Sequence, residues 1–312
     1  MKKLVIATRK SQLALWQSEY IKAELKKFYP KMEIVLEEFS TKGDKILDVP
    51  LAKIGGKGLF TKELEVAMLE GVAHLAVHSL KDVPTQFEDG LQLAAVSKRF
   101  DARDAFLSDK YKNLKDLPEG AVIGTTSLRR RMELKILRPD INLKDLRGNI
   151  NTRIAKLKAG EYDAIILAAT GVQKLGIEGE VKYFKPMSID DMIPSMGQAI
   201  LGIETTNDKR IIDIVSVLND DNAFIEATIE RNFVDTLQGG CQVPIGIKAT
   251  ITDENSIRVQ AIVGMPDGSE YIEEDITADI DDFETIGNTL AQNFIDQGAK
   301  ALLERAEKVA FK

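Results

Sequence analysis

The chain has 312 residues, 44% hydrophobic and 29% charged, a balance ordinary for a soluble globular protein and long enough for two or three domains, each with a core. Its single cysteine, Cys241, excludes an internal disulfide and is too few for a metal cage. The opening MKKLVIATRK has too short an apolar run for a signal peptide, and no later run reaches membrane-spanning length, so a reducing cytosol is the expected setting. The net charge of −7 is unevenly spread: residues 127–158 carry a local +7 and residues 219–312 a local −12. The basic segment holds no aromatic residue to stack on bases, which argues against nucleic acid and for a small polyanionic ligand.

In chain order, LVIAT (4–8) reads as a strand, and Ser11 as the N-cap of a helix through LALWQSEYIKAELKKF. EIVLEEF is a second strand. GGKGLF (55–60) is a glycine-rich loop, followed by a helix capped by Thr61 and stopped near Gly71. HLAVHS and LQLAAVS are further strands. The logic then repeats: VIATRKSQL (5–13) and VIGTTSLRR (122–130) each give a strand, a threonine, a serine and a helix opening. The helix LRRRMELKILR, the segment INLKDLRG, the helix NTRIAKLKAG and the strand DAIILAA follow. This alternation predicts α/β layers with largely parallel sheets, as two related lobes with a cleft between them.

Beyond about residue 219 the texture changes. NAFIEATIERNFVDTLQ places apolar residues at 225, 229, 233 and 237 on one helix face, closed by Gly239 and Gly240. GIKATIT and SIRVQAIVG read as strands, MPDGSEY as a hairpin turn with Asp-Gly at its tip, and Phe283 to Val309 as one amphipathic helix. This predicts a separate α+β domain with an antiparallel sheet, with Cys241 at its entrance.

Arg129, Arg130 and Arg131 fall in the first turn of a predicted helix, where the macrodipole disfavours cations. Arg9 and Lys10 crowd the start of the first helix in the same way. An anion held at those helix ends makes sense of both, since free N–H groups and guanidinium forks would bind it together. Successive helical residues diverge by about 100°, so at most two of the three arginines can share a site. Arg147 and Arg153 lie nearby in sequence and favour a polyanion cleft over a merely solvated face. VHSLKDVPT (77–85) sets Lys81 beside Asp82 at the C-terminal end of a strand, where open α/β sheets place ligands. Taken alone that peptide reads as a surface turn, with Asp82 available as acid, base or stabiliser of a developing cation. KIGGKGLF holds Lys53 and Lys57 around three glycines without the spacing of a phosphate loop. His74 and His78 are the only histidines and read as structural residues of a buried strand, not metal ligands.

Taken together, IATRKSQLALWQ, TKGD, PLAKIGGKGLFTKELE, AVHSLKDVPT, DARDAF, IGTTSLRRR, LRGNINTR, YDAIILAATG and GGCQVPIG resemble the porphobilinogen deaminase (hydroxymethylbilane synthase) family over nearly the whole chain. The resemblance implies a transferase of porphyrin, tetrapyrrole and heme biosynthesis. Four porphobilinogen molecules are deaminated, joined head to tail and released as hydroxymethylbilane, on a dipyrromethane cofactor thioether-linked to Cys241. It implies that Asp82 stabilises the cation left when ammonia departs. Lys81, Ser127, Arg129 and Arg130 would hold the cofactor, with Lys53 and Lys57 on a mobile loop near it. Arg9, Ser11, Arg147, Arg153 and Lys174 would serve the substrate, and Arg131 the solvated face.

Each pyrrole carries an acetate and a propionate, which bidentate arginines suit and lysines do not reproduce. Three positions depart from the family pattern. Lys174 stands where several relatives carry arginine, which implies weaker or differently arranged binding; Ala199 stands for a common glycine and Ser195 for a common alanine, which implies small hinge or packing effects. The resemblance further implies two periplasmic-binding-protein-like lobes with mostly parallel sheets and a C-terminal α+β domain. The expected domains are 1–97 with 197–217, 102–192, and 219–312, in a cytoplasmic monomer without metal, nucleic acid or membrane partners. Two other classes compete on residues alone: a two-lobed binding module for a small polyanion, and a cysteine–histidine transferase. Asp82 and the isolated Cys241 favour the enzyme over the module, and no histidine lies in the sequence near Cys241.

Overall fold

Alternation of apolar residues with polar caps sets the element order in this computed structural model, which describes residues 1–41, 61–239 and 243–310. The strands are β1 (Lys3–Arg9), β2 (Glu33–Phe39), β3 (Leu75–Ser79), β4 (Leu91–Val96), β5 (Asp104–Ser108), β6 (Val122–Gly124), β7 (Asn142–Lys144), β8 (Ala164–Ala168), β9 (Tyr183–Pro186), β10 (Leu201–Thr206), β11 (Ile245–Ile251), β12 (Ser256–Gly264) and β13 (Tyr271–Asp279). The described helices are α1 (Gln12–Phe28), α2 (Lys62–Leu69), α3 (Leu128–Leu137), α4 (Ile150–Lys158), α5 (Ala169–Leu175), α6 (Lys209–Val215), α7 (Asp221–Thr236), α8 (Phe283–Asp296) and α9 (Ala299–Ala310).

The described chain divides into two units, residues 1–41, 61–100 and 199–225, and residues 101–198 with 226–310. The first contains a sheet of order β2-β1-β3-β10-β4. β2, β1, β3 and β4 run one way, and β10 runs against its neighbours β3 and β4. The second unit repeats the pattern as β7-β6-β8-β5-β9, with β5 as the reversed strand. The short sequence repeat therefore marks a full structural one: β1 and α1 correspond to β6 and α3. In each sheet the reversed strand begins just after the chain has passed from one unit to the other. The second unit also carries the antiparallel sheet β11-β12-β13 with α8 and α9. This is the α/β class with a C-terminal antiparallel sheet expected from the sequence.

Leu4, Ile6, Ile21, Leu25, Leu75 and Ile203 form the core around the first sheet. Beside it Trp16 stacks on Tyr20 at 5.4 Å, and Phe100 meets Tyr20 edge-on at 5.4 Å, contacts worth about 0.5–1.5 kcal/mol each beyond burial. In the second unit, Phe106, Ile123, Leu134 and Ile166 fill one side of the sheet, and Leu107, Ile154, Leu157 and Ile165 the other. In the C-terminal region Phe233 of α7 meets Phe294 of α8 edge-on at 5.1 Å. The two helices cross so closely that a Cβ on Gly287 would lie 2.2 Å from the Ile229 carbonyl oxygen.

Several local expectations are corrected. The final helix is two, broken at Gly298, whose φ of +97° suits glycine and lets α9 turn away from α8. Thr61 does not cap α2: its backbone is near-helical and its hydroxyl instead donates to Glu65 Oε1 at 2.5 Å. The end of α7 is formed by Gln238 in the left-handed region at φ +56°, with Gly239 N–H donating to Val234 O at 3.0 Å and Gln238 N–H to Asp235 O at 2.9 Å. That pair of bonds is a Schellman closure with glutamine where glycine is usual. The Asp267–Gly268 turn joins β12 to β13 as expected, with Gly268 at φ +72°.

Candidate active site

In the first unit, neighbouring parallel strands β1 and β3 end side by side. Arg9 closes β1, and Ser11 caps α1 by accepting the Ala14 N–H at 3.3 Å. After β3 the chain makes a 3-10 turn, Leu80–Asp82, which carries Lys81 and the exposed Asp82. Arg9 and Asp82 line one small pocket of about 20 Å³, together with Gln17, Thr61, His78 and Ser79. Gln17 donates to Ser79 Oγ at 2.8 Å, tying α1 to the end of β3.

The histidines are both built into this sheet. His74 Nδ1 accepts the Val5 N–H at 2.9 Å, and burial lowers its pKa. His78 is buried in β3, with Nε2 2.9 Å from Glu204 Oε2 on β10. Among the described residues no cluster of His, Cys, Asp and Glu suited to a metal occurs.

In the second unit, Ser127 caps α3, accepting the Arg130 N–H at 3.4 Å. Arg129 and Arg130, which follow it, are buried and converge on Asp104, the first residue of β5. Arg129 Nη2 donates to Asp104 Oδ2 at 2.6 Å and Arg130 Nη2 to Asp104 Oδ1 at 2.7 Å. Arg129 Nη1 also reaches Glu133 Oε2 at 2.8 Å and the Ile193 carbonyl at 2.7 Å; Arg130 Nη1 reaches the Ile166 carbonyl at 3.0 Å. Gln198 joins the cluster through Asp104 Oδ1 at 3.1 Å and the Ala102 carbonyl at 2.7 Å. Burial pushes the Asp104 carboxyl up, but the two guanidiniums outweigh it and hold it well below the usual range. Burial pushes the Glu133 carboxyl up to about 8 against the pull of Arg129. Both guanidiniums converge on the Asp104 carboxylate, and Arg129 Nε and Arg130 Nε are buried without a hydrogen-bond partner. Idle donors on two cationic side chains fit an acidic ligand.

The anion that meets the arginines at that helix start is a side chain of the protein, Asp104, and not a ligand alone. The sequence did not point to Asp104, Glu133 and Gln198. The only available signal was an aspartate opening the otherwise apolar strand DAFLS, with no hint of its partners.

Arg131 pairs with Asp145 at 2.6 Å and is partly exposed, a surface ion pair in keeping with its expected place on the solvated face. Arg147 lies just before α4 and Arg153 in its first turn. There Asn149 caps the helix by accepting the Thr152 N–H at 2.9 Å, and Arg153 Nε holds the Gly148 carbonyl at 2.7 Å. Lys174 lies half-buried in the last turn of α5. Cys241, Lys53 and Lys57 lie outside the described residues.

Open α/β sheets with arginine-bearing strand-to-helix junctions define a class of protein suited to acidic ligands, and the comparisons with known proteins narrow it. Residues 4–213 match the family model "Porphobilinogen deaminase, dipyromethane cofactor binding domain", and residues 224–296 match "Porphobilinogen deaminase, C-terminal domain". The chain is 82% identical to the porphobilinogen deaminase of Aliarcobacter butzleri over the full length of both. It is 57% identical to that of Campylobacter concisus, covering 99% of this chain and all of the relative. A putative methionine-binding lipoprotein from Bacillus subtilis aligns in structure with a TM-score of 0.41 at 15% identity, over 72% of this chain and 94% of that one. The chain belongs to the porphobilinogen deaminase family.

Proposed function

We propose that this chain, a transferase, joins four porphobilinogen molecules head to tail with loss of ammonia and releases hydroxymethylbilane by hydrolysis. The observation that carries the reading is the match to both family models along the chain, with near-complete coverage of the curated relatives. A binding module without chemistry is not favoured by relatives that are porphobilinogen deaminases.

The dipyrromethane, when bound, supplies the pyrrole terminus to which substrate is joined and brings several carboxylates with it. Cys241 carries it through a thioether. Arg129 and Arg130 suit those carboxylates because their Nε–H groups remain unused after Asp104 is satisfied. We assign Ser127, Lys81, Lys53 and Lys57 to the same group. Arg9, Ser11, Arg147, Arg153 and Lys174 receive the acetate and propionate of porphobilinogen. Asp82, exposed at the end of β3, accepts hydrogen bonds from pyrrole N–H and places negative charge against the cation formed as ammonia leaves. Its placement on a tight turn, clamped by the Leu80 N–H to the Ile200 carbonyl at 2.9 Å, fixes that charge before substrate arrives.

Among the described residues no helix is long and apolar enough to cross a membrane. On the family resemblance we place the protein in the cytoplasm as a monomer. The intact mass of the purified protein tests the reading. We expect an excess equal to one dipyrromethane, absent from Cys241→Ala and retained in Asp82→Ala, which loses nearly all turnover. An unmodified wild-type protein with full activity would overturn it.

A further inference from the structure

His78 and Glu204 form a buried carboxylate–imidazole pair that the reading above does not use. His78 is 6% and Glu204 1% exposed, yet His78 borders the same pocket as Asp82 and Arg9. Because a carboxylate only accepts, the contact at 2.9 Å puts the imidazole hydrogen on Nε2 and leaves the Nδ1 lone pair open. No described residue hydrogen-bonds Nδ1. Glu204 Oε1 is buried without a partner, so this carboxylate serves no backbone group and its hydrogen-bond contact is with the imidazole alone. The pocket, of about 20 Å³, has room for one water, which needs roughly 10–15 Å³.

The chemistry of coupling calls for such a group. Joining two porphobilinogen-derived rings forms a bond between an aminomethyl carbon, whose nitrogen leaves as ammonia, and a pyrrole α-carbon. That α-carbon still holds its hydrogen, which must depart as a proton while the C–H electron pair restores the aromatic ring. Asp82, spent on stabilising a cation, is poorly suited to take the same proton, because protonation would remove its charge. We propose that His78, oriented and electrostatically supported by Glu204, accepts this proton through the Asp82 pocket and passes it to solvent. The assignment rests on the porphobilinogen deaminase reading and deepens it.

The charged and titratable groups around the imidazole are Glu204 from β10, Glu65 from α2, Arg9 from β1 and Asp82 from the turn. Burial raises the Glu65 carboxyl against the hydrogen bond from Thr61, and the Glu204 charge adds to the rise. Of these groups Glu204 is the carboxylate in direct contact with the imidazole.

The chain's two histidines make the test direct. In 15N-histidine-labelled holoenzyme, the imidazole signal lost in His78→Gln should show the Nε2–H tautomer, and Glu204→Gln should change that tautomer signature. With porphobilinogen deuterated at the free α-carbon, His78→Gln should lower kcat by about 100-fold. Its isotope effect on kcat should exceed that of wild type, and the limb of the pH profile set by the base should shift. Glu204→Gln, nearly isosteric, should do the same more weakly and serves if His78→Gln fails to fold. An Nδ1–H tautomer in wild type overturns the proposal, as does a folded His78→Gln enzyme with unchanged kcat. So does a slower variant whose isotope effect and pH profile match wild type, since that marks a structural role only. A wild-type holoenzyme that leaves porphobilinogen unconverted would instead overturn the underlying function.

Discussion

Arg129 Nη2 lies 2.6 Å from Asp104 Oδ2, a fully buried pair that joins the first turn of α3 to the first residue of β5. Arg130 shares the same carboxylate, so one aspartate offsets part of the positive charge that this helix start concentrates in the interior.

Asp104→Asn should therefore cost roughly 3–5 kcal/mol at pH 7, because it leaves two buried cations without their anion. The folded-state carboxyl titrates below its unfolded value. Its contribution is thus complete above about pH 4 and is lost as pH falls through the folded value. Urea denaturation from pH 3 to 7 checks this: the variant should be weaker at neutrality, with a shallower loss on acidification. Equal stability at pH 7 would contradict the account.

Glu133 has the opposite sign. With its carboxyl raised from 4.5 to about 8, the folded state keeps a proton that the unfolded chain releases. Stability should fall by a few kcal/mol as pH rises across that interval and level off above it. Glu133→Gln should flatten the profile between pH 5 and 8. A wild-type profile flat over that range would show that Arg129 keeps Glu133 ionised throughout.

Ala199 occupies the left-handed region at φ +69°, with its carbonyl accepting the Phe100 N–H at 2.8 Å. Ala199→Gly should relieve strain and raise stability by about 0.5–1 kcal/mol, after allowance for the greater unfolded-state freedom of glycine. A higher urea midpoint at unchanged slope is the expected result.

Arg147→Lys preserves charge but removes the planar fork. At a site for acetate and propionate it should raise KM for porphobilinogen about tenfold, with the cofactor mass retained. Steady-state kinetics alongside intact mass checks this; unchanged kinetics would remove Arg147 from the substrate site.

Much of the fold was legible because its signals are local. Alternation and capping serines mark β1–α1 and β6–α3, and period-2 runs separated by Asp267–Gly268 mark β12–β13. Positions such as the Gly298 break and the left-handed Gln238 were misread because amphipathic periodicity continues across them and only backbone angles register the turn. At the site, the residue types in LRRR and LKD point to anion handling, and motif order along the chain leads to the family. The partners of those residues were not legible. Asp104 lies 25 positions before Arg129, and Glu204 lies 126 after His78. Sequence by itself determined which elements form, that they repeat, and which side chains can bind carboxylates. Tertiary structure alone decided that two arginines share one aspartate and that a histidine read as structural sits beside Asp82 with a carboxylate behind it. The physical reason is that pattern and propensity act over a few residues, whereas burial lets charges far apart in the chain choose their partners.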